Sequence, residues 1–444
     1  MDQAGAAHEV LVEALGRRRF LQAAAAVSAV AAAPVVAGGT AAAAPSRETL
    51  QPGRGPIHGR HYLASPPDQV RWGYVPSVGS DPVLRIRSGD TVTVDTVSHE
   101  GILEDQGRDP VAYFAGHGVP REQVLADAVS IASEYHRTTR NFDVDGPHVV
   151  TGPVYVTGAE PGDVLKVETL SALPRVPYGV VSSRHGKGAL PRTADGSPAP
   201  GITLDEVMPP VATDGRPTGD PTRYGNVSVF TKVRQDRGRL TGVLPRGRSR
   251  EVAFPLSPFM GMMGVAFAPA SSLTAPELNS IPPTLGGGNI DINHLGVGST
   301  FYLPVFAEGA LFYTGDPHLA MGGGEVALTA VEGSLRATFR LTVRKPGARD
   351  VPSVAFHYPF AETPDAWVPI GLSDPDGVQH GQGSDLNIAM RRAVVNALDF
   401  LQNDLGMDRA VAYAYLSAAA NFEVSQVVDR TSGVHGVITK KHFT

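Results

Sequence analysis

Ser299-Thr300-Phe301-Tyr302-Leu303-Pro304-Val305-Phe306 is followed, after two residues, by Gly309-Ala310-Leu311-Phe312-Tyr313-Thr314-Gly315-Asp316-Pro317-His318. Both runs are short, apolar and rich in aromatic and β-branched residues, and a turn ending in glycine separates them. That is how buried strands read. The second run closes on Asp-Pro-His, so polar groups sit at a strand end. The neighbouring stretches do the same. Upstream stands Gly286-Gly287-Gly288-Asn289-Ile290-Asp291-Ile292-Asn293-His294, and downstream Gly322-Gly323-Gly324-Glu325. Glycine-rich turns at strand ends can bring several such groups to one point on a rigid scaffold.

The same punctuation runs through most of the chain, which has 50 glycines and 37 prolines in 444 residues. Up to about Ser384 the pattern predicts a mainly β fold, sandwich-like or barrel-like, and α+β overall. One helix is expected over Arg121–His136, where Val124, Leu125, Ala128 and Ile131 recur near helical spacing. Gly89-Asp90 and Gly162-Asp163 each read as a turn entering a strand. Residues 60–175 read as an N-terminal β region. Residues 176–255 read as an irregular insertion, rich in Gly, Pro, Ser and Asp up to Thr222, followed by a hairpin over Asn226–Phe254. Residues 256–444 read as a core β region, with Pro258–Pro269 as a buried strand pair. Beyond Ser384, Asp385 can cap a helix with Ile388, Ala389, Val394, Val395, Leu398 and Leu401 on one stripe, ending at Gly406. Asp408 can cap a second helix, Arg409–Ala420, before a return to short strands.

The first 44 residues read differently. Arg17-Arg18-Arg19-Phe20-Leu21 precedes a stretch without charge up to Ser46, mostly Ala and Val, and Ala41–Ala44 offer a cleavage site. Paired arginines, a weakly apolar run and small residues are the bacterial twin-arginine pattern. Pro34, Gly38 and Gly39 interrupt the run, which suits a signal better than a spanning helix of ~20 apolar residues. The expectation is a chain exported folded, through the twin-arginine machinery, to the periplasm or beyond, with no stable membrane anchor.

Formal net charge is −6, without long runs of one sign, so no nucleic-acid partner is expected. The short basic cluster Arg246–Arg250 reads as a solvated loop. There is no cysteine, which excludes disulfides, thiolate nucleophiles and cysteine-held zinc. Any metal must be held by His, Asp, Glu, amide oxygens or water. Asp316, His318 and Glu325 offer donors that suit Zn²⁺. Singly each also suits a turn or a buried, satisfied side chain; as a group they point to a site. Asp95-Thr96-Val97-Ser98-His99-Glu100 and Asp145-Gly146-Pro147-His148 are two more polar strand-end segments. No Gly-x-Ser-x-Gly elbow or His-Glu-x-x-His pair is present. Ser182-Ser183 lacks the glycine-rich setting of the serine amidases.

Several ordered motifs identify a resemblance to the acetamidase/formamidase family. They are Thr151-Gly152-Pro153-Val154-Tyr155-Val156-Thr157-Gly158-Ala159-Glu160-Pro161-Gly162-Asp163-Val164-Leu165, Gly287–Asp291, Gly298–Val305, Gly309–Phe312, Gly315–His318 and Ser425-Gln426-Val427-Val428-Asp429. The resemblance runs from about His61 to Phe443. It implies hydrolysis of a linear carboxamide to a carboxylate and ammonia, on a β-rich scaffold, with a divalent metal, zinc first and calcium second. Asn289, Asp291, Asp316, His318, Glu325 and Asp95 occupy matching positions. On that footing Asp95, His99 and His318 are the expected metal ligands and Glu325 the base. Asn289, Asp291 and His148 are expected at the substrate, and Asp316 as a catalytic group that, like Asp291, orients the ligands. One departure stands out. Gly322-Gly323-Gly324-Glu325 lacks the acidic residue that the family carries at the second position. This leaves two alternatives open: a lactam or larger amide as substrate, or an exported binding protein that has lost turnover. Strand-rich folds of this kind often pair, which leans the expectation towards a homodimer.

Overall fold

The two Gly-Asp pairs show how the chain enters its strands. Gly89 and Gly162 have φ of +89° and +95°. The following carboxylates fold back onto the turn: Arg87 N donates to Asp90 and Glu160 N donates to Asp163. The strands Thr91–Asp95 and Val164–Pro174 start there. The structure, a computed structural model, describes residues 49–184, 186–193, 195–209, 226–236, 238–247, 249–379 and 381–443. The export segment lies outside these residues.

Of the described residues, 35% are in strands and 17% in helices. Two large sheets account for most of it. The first has nine strands, in the order 61–63, 91–95, 335–344, 164–174, 300–304, 360–362, 366–372, 433–439 and 421–426. The second has eleven and is built around Phe312–Ala320, which pairs with Phe259–Gly264, Val331–Glu332 and Val149–Thr157. Among the described residues neither sheet closes into a barrel. The second sheet takes strands from all three stretches distinguished in the sequence. The main core draws on both sheets: Phe339, Leu341, Phe301, Leu303 and Phe360 from the first, and Phe312, Leu319, Met260 and Met263 from the second, all buried. Each such side chain contributes about 1.5–3 kcal/mol by leaving water.

Four α-helices occur among the described residues, two of them near the C-terminus. Asp385 accepts bonds from Asn387 N and Ile388 N and starts Leu386–Asn403. Asp408 does the same for Arg409–Ala419. Ala389, Ala393 and Ala397 press the longer helix onto the first sheet. A Cβ at Gly371 would collide with the backbone of Ala389 and Ala393. The helix expected over Arg121–His136 is shorter, a 3-10 turn at Arg121–Gln123 and then Ala126–Glu134. A six-residue helix, Pro110–Ala115, has no legible period at that length. The expected hairpin after Asn226 is a three-stranded meander, Val227–Asp236, Arg239–Gly247 and Arg250–Pro255, with the basic cluster at its second turn. Pro258–Pro269 supplies one strand, not two; its partners come from elsewhere. No helix among the described residues is long and apolar enough to cross a membrane.

Candidate active site

Asp316 and His318 lie two residues apart on the strand Phe312–Ala320, whose regular pleat is broken by the left-handed backbone at Asp316. His318 stands opposite Glu332 on one neighbouring strand and Phe259 on the other. His318 Nε2 is 3.0 Å from Asp316 Oδ2 and 3.2 Å from Glu332 Oε1. Two further imidazoles approach Asp316 from outside this strand. His99, in the turn after Thr91–Asp95, brings Nδ1 to 3.7 Å from Asp316 Oδ1. His148, just before Val149–Thr157, brings Nε2 to 3.7 Å from Asp316 Oδ2. Glu325 Oε1 and Asp291 Oδ1 flank His318 at 3.7 and 3.8 Å. All of these side chains are buried.

The backbone is bent to make this convergence. Asp291, Asp316 and Glu325 have φ of +49°, +49° and +46°, a left-handed conformation that non-glycine residues seldom adopt and that clusters at functional sites. Gly261 faces the cluster from the adjacent strand. A Cβ there would lie against Asp291 Oδ1 and 2.6 Å from His318 Cε1, so only glycine leaves room.

Each of the two outer imidazoles is oriented by its other nitrogen. His148 Nδ1 is 3.0 Å from Ser280 Oγ, and His99 Nε2 is 3.5 Å from Glu100 Oε1. Glu100 is in turn paired with Arg184 at 2.7 Å. With protons on those sides, His148 Nε2 and His99 Nδ1 present lone pairs towards Asp316. This is how histidines are prepared for metals. His99 Nδ1, Asp316 Oδ1, His318 Nδ1 and Nε2, Asp291 Oδ1 and Oδ2, Glu332 Oε2, Asn289 Oδ1 and Asp429 Oδ2 are buried without a hydrogen-bond partner. Each unsatisfied group costs about 1–3 kcal/mol, so this concentration calls for a cation. Donor sets within 4.8 Å of one another are His99–His148–Asp316, Asp316–His318–Glu332 and Asp291–His318–Glu325. The residues therefore fit a divalent metal. The first set is the one that lines a cavity of about 400 Å³.

Charge follows the same map. Burial pushes Asp429 up to about 7, and burial with nearby carboxylates raises Asp291, Glu325 and Glu332. For Asp316 burial acts upward, but His318, His148 and His99 outweigh it and hold the carboxyl well below its usual range. Burial lowers His148 to about 4, so it is a neutral donor at pH 7. Burial also pulls His99 and His318 down, yet the surrounding carboxylates win and raise both.

Of the residues singled out in the sequence, the structure brings together His99, His148, Asn289, Asp291, Asp316, His318 and Glu325. It sets Asp95 apart. Its carboxylate receives two bonds from Arg336, at 2.6 and 2.8 Å, and one from Tyr62 at 2.7 Å, with Arg175 at 3.5 Å. Its oxygens are thus committed to a buried ionic network. His148, expected at the substrate, joins the imidazoles around Asp316. Asn289 lines the cavity, whereas Asp291 and His318 lie beneath its wall, fully buried. Glu332 and Asp429 carry no assignment from sequence. A single glutamate in Ala330-Val331-Glu332-Gly333 reads as the outer face of a strand, and Asp429 stands in a matched motif without a role of its own. Gly323 is exposed. A Cβ there would meet only the Val424 carbonyl oxygen, at 3.2 Å.

Residues 248–439 match the model of the acetamidase/formamidase family. Over these residues the chain is similar to the acetamidase/formamidase family. It is 27% identical over 316 residues to the formamidase of Methylophilus methylotrophus, covering 65% of this chain and 75% of that one. It is 25% identical over 333 residues to the acetamidase of Mycolicibacterium smegmatis, covering 67% and 79%. Among solved structures, the acetamidase of Bacillus halodurans shares the fold, with a TM-score of 0.58 at 22% identity over 86% of this chain and 98% of that one. The acetamidase of Yersinia enterocolitica does so at 0.58 and 23% identity, over 86% and 93%. The family match includes Asn289, Asp291, Asp316, His318, Glu325, Glu332 and Asp429, while His99 and His148 come from the chain before it.

Proposed function

We propose that the protein is a metal-dependent hydrolase that converts a linear carboxamide to a carboxylate and ammonia. The observation that carries the proposal is the pair of imidazoles, His99 and His148, each oriented by a polar partner and turned towards Asp316 on a cavity wall. Similarity to a formamidase and to an acetamidase supports the reaction. His99, His148 and Asp316 would hold the ion. Two imidazoles and one carboxylate with an open side suit Zn²⁺ better than Ca²⁺, which takes 6–8 oxygens. A divalent ion at this point supplies Lewis acidity to an amide carbonyl and acidifies water towards a pKa of about 7.

The chain's own groups do the remaining work. Asn289 Oδ1, unpartnered at the cavity wall, accepts the substrate's amide N–H and sets the carbonyl's direction. Glu325 lines the same cavity. Burial and Asp429 raise its pKa well above the ordinary value, which makes it a stronger base than an exposed carboxylate. It takes a proton from water and returns it to the leaving nitrogen, a role worth ~10²–10⁴ in rate. His318, beneath the wall, sits against both Asp316 and Glu325 and is itself flanked by Asp291. A cavity of about 400 Å³, walled partly by Gly186, Lys187, Gly188 and Pro191 of the irregular segment, favours an amide larger than acetamide.

Ammonia release from formamide, acetamide, longer linear amides and lactams, measured with and without a chelator, tests the proposal. Release from at least one linear amide, abolished by chelation, is expected. A folded, metal-loaded protein that releases ammonia from none of them contradicts it. Release from lactams alone favours the other substrate class.

The paired arginines support export by the twin-arginine route to the periplasm or medium. Changing Arg17 and Arg18 to Lys should trap the protein in the cytoplasm. Undiminished export of that variant overturns this part.

A further inference from the structure

A second group of metal-type donors lies outside the cavity. His294 follows the turn that carries Asp291. Glu423 and His435 face each other across the antiparallel strands Asn421–Gln426 and Gly433–Thr439. Glu423 Oε2 is 3.1 Å from His294 Nε2 and 3.6 Å from His435 Nε2. The two rings meet edge to face at 5.4 Å. The three donor atoms lie within 4.8 Å of one another. A tetrahedral ion with bonds near 2.0–2.1 Å spaces its ligands about 3.3 Å apart, between the two distances found here.

An ion pair between His294 and Glu423 explains part of this group and leaves the rest unexplained. His435 is 1% exposed, and its Nε2 has no hydrogen-bond partner. It is aimed at the same carboxylate oxygen as His294. Its Nδ1 is 2.8 Å from Ser425 Oγ. With the proton on that side, Nε2 keeps its lone pair for the group. Burial lowers the pKa of this ring, which keeps it neutral. His294 and Glu423 are about one-third and two-fifths exposed, so water can complete a coordination shell.

We propose that His294, Glu423 and His435 form a second, solvent-facing site for a divalent transition-metal ion of the zinc class. Two imidazoles and a single carboxylate are too few oxygens for Ca²⁺ and too soft a set for Mg²⁺. The site joins the turn bearing Asp291 to the hairpin whose Ser425 carbonyl accepts from Gly324 N at 3.0 Å, next to Glu325. Loading it ties together two segments that carry cavity residues without contributing a group to the reaction.

The test is titration of the metal-stripped full chain with Co²⁺, reading stoichiometry and the visible absorption of the bound ion. His294→Gln is a partly exposed change that the fold tolerates, and Glu423→Gln is its independent partner. The wild-type protein should bind one equivalent more than either variant, or bind that equivalent at least about a hundredfold more tightly. Asp316→Asn, which alters the other centre, should retain the absorption that His294→Gln loses. Zn²⁺ should also raise the melting temperature of the wild type more than that of His294→Gln. Equal stoichiometry and affinity in wild type and both variants would reduce the group to an ion pair and overturn the proposal. None of these readings depends on amide turnover, so failure here is distinct from failure of the hydrolase reading.

Discussion

Two aspartates show how differently the same side chain can be used. Asp95 is enclosed by Arg336, Arg175 and Tyr62, whereas Asp316 faces three imidazoles and has an oxygen with no hydrogen bond. Breaking a buried ion pair costs about 3–5 kcal/mol because a charge is left unpaired. Asp95→Asn should therefore lower the unfolding free energy in denaturant titration by about that much, while the protein that folds keeps its full metal content. Metal lost in proportion to folded Asp95→Asn would contradict the assignment. Asp316→Asn should do the reverse, with metal content and ammonia release falling together and stability changing less. At this scale the sequence shows which residue types are available but not their partners. Asp95 and Asp316 both end or interrupt apolar strands, and what separates them is the approach of Arg336 and His99 from distant parts of the chain.

At the scale of elements, the apolar runs and their glycine punctuation were legible. So were the two C-terminal helices, because Asp385 and Asp408 announce their starts and a long stripe confirms the first. The helix Pro110–Ala115 was not legible, since six residues carry too little period. Glu332 was missed because its strand is two residues long and its partner His318 is brought to it only by pairing with the neighbouring strand. The strand that backs the cluster packs tightly against it at Gly261. Gly261→Ala places a methyl group against Asp291 and His318. It should abolish metal binding and lower amide turnover at least tenfold, read by metal analysis of the folded fraction, while the far-UV spectrum stays that of the wild type. A metal-replete, fully active Gly261→Ala would show that the cluster is not assembled as described.

For the whole molecule, the cluster couples protonation to stability. Asp429 is pushed from an ordinary 3.8 up to about 7, and Asp291, Glu325 and Glu332 are raised in the same direction. A carboxyl raised in the folded state stabilises fully below its unfolded pKa and loses that contribution as pH rises through the folded value. The raised histidines His99 and His318 have the same sign. Asp316, which is lowered, has the opposite sign but acts below 3.8. The lowered histidines His148, His117 and His435 also have the opposite sign and offset part of the trend up to about pH 6.5, leaving the raised carboxyls and histidines to set it above that. Metal-stripped protein should thus melt lower at about pH 8 than at about pH 5, and a divalent ion should reduce or reverse that trend by replacing the protons. A melting temperature of the stripped protein that rises over the same interval would contradict this account. The paired arginines belong at this scale too. If the chain is exported folded, its metal is chosen in the cytoplasm, and rerouting it through an unfolded-export signal should yield protein with another ion or none.

On the proposed reading, His99, His148 and Asp316, drawn from three separate stretches of chain, hold a catalytic divalent ion at the cavity wall. Anomalous diffraction at the zinc edge, on crystals of zinc-loaded protein that releases ammonia from an amide, tests it most directly. A peak bonded to His99 Nδ1, His148 Nε2 and a carboxylate oxygen of Asp316 is expected. An active, zinc-loaded crystal with no peak at those three atoms would contradict it.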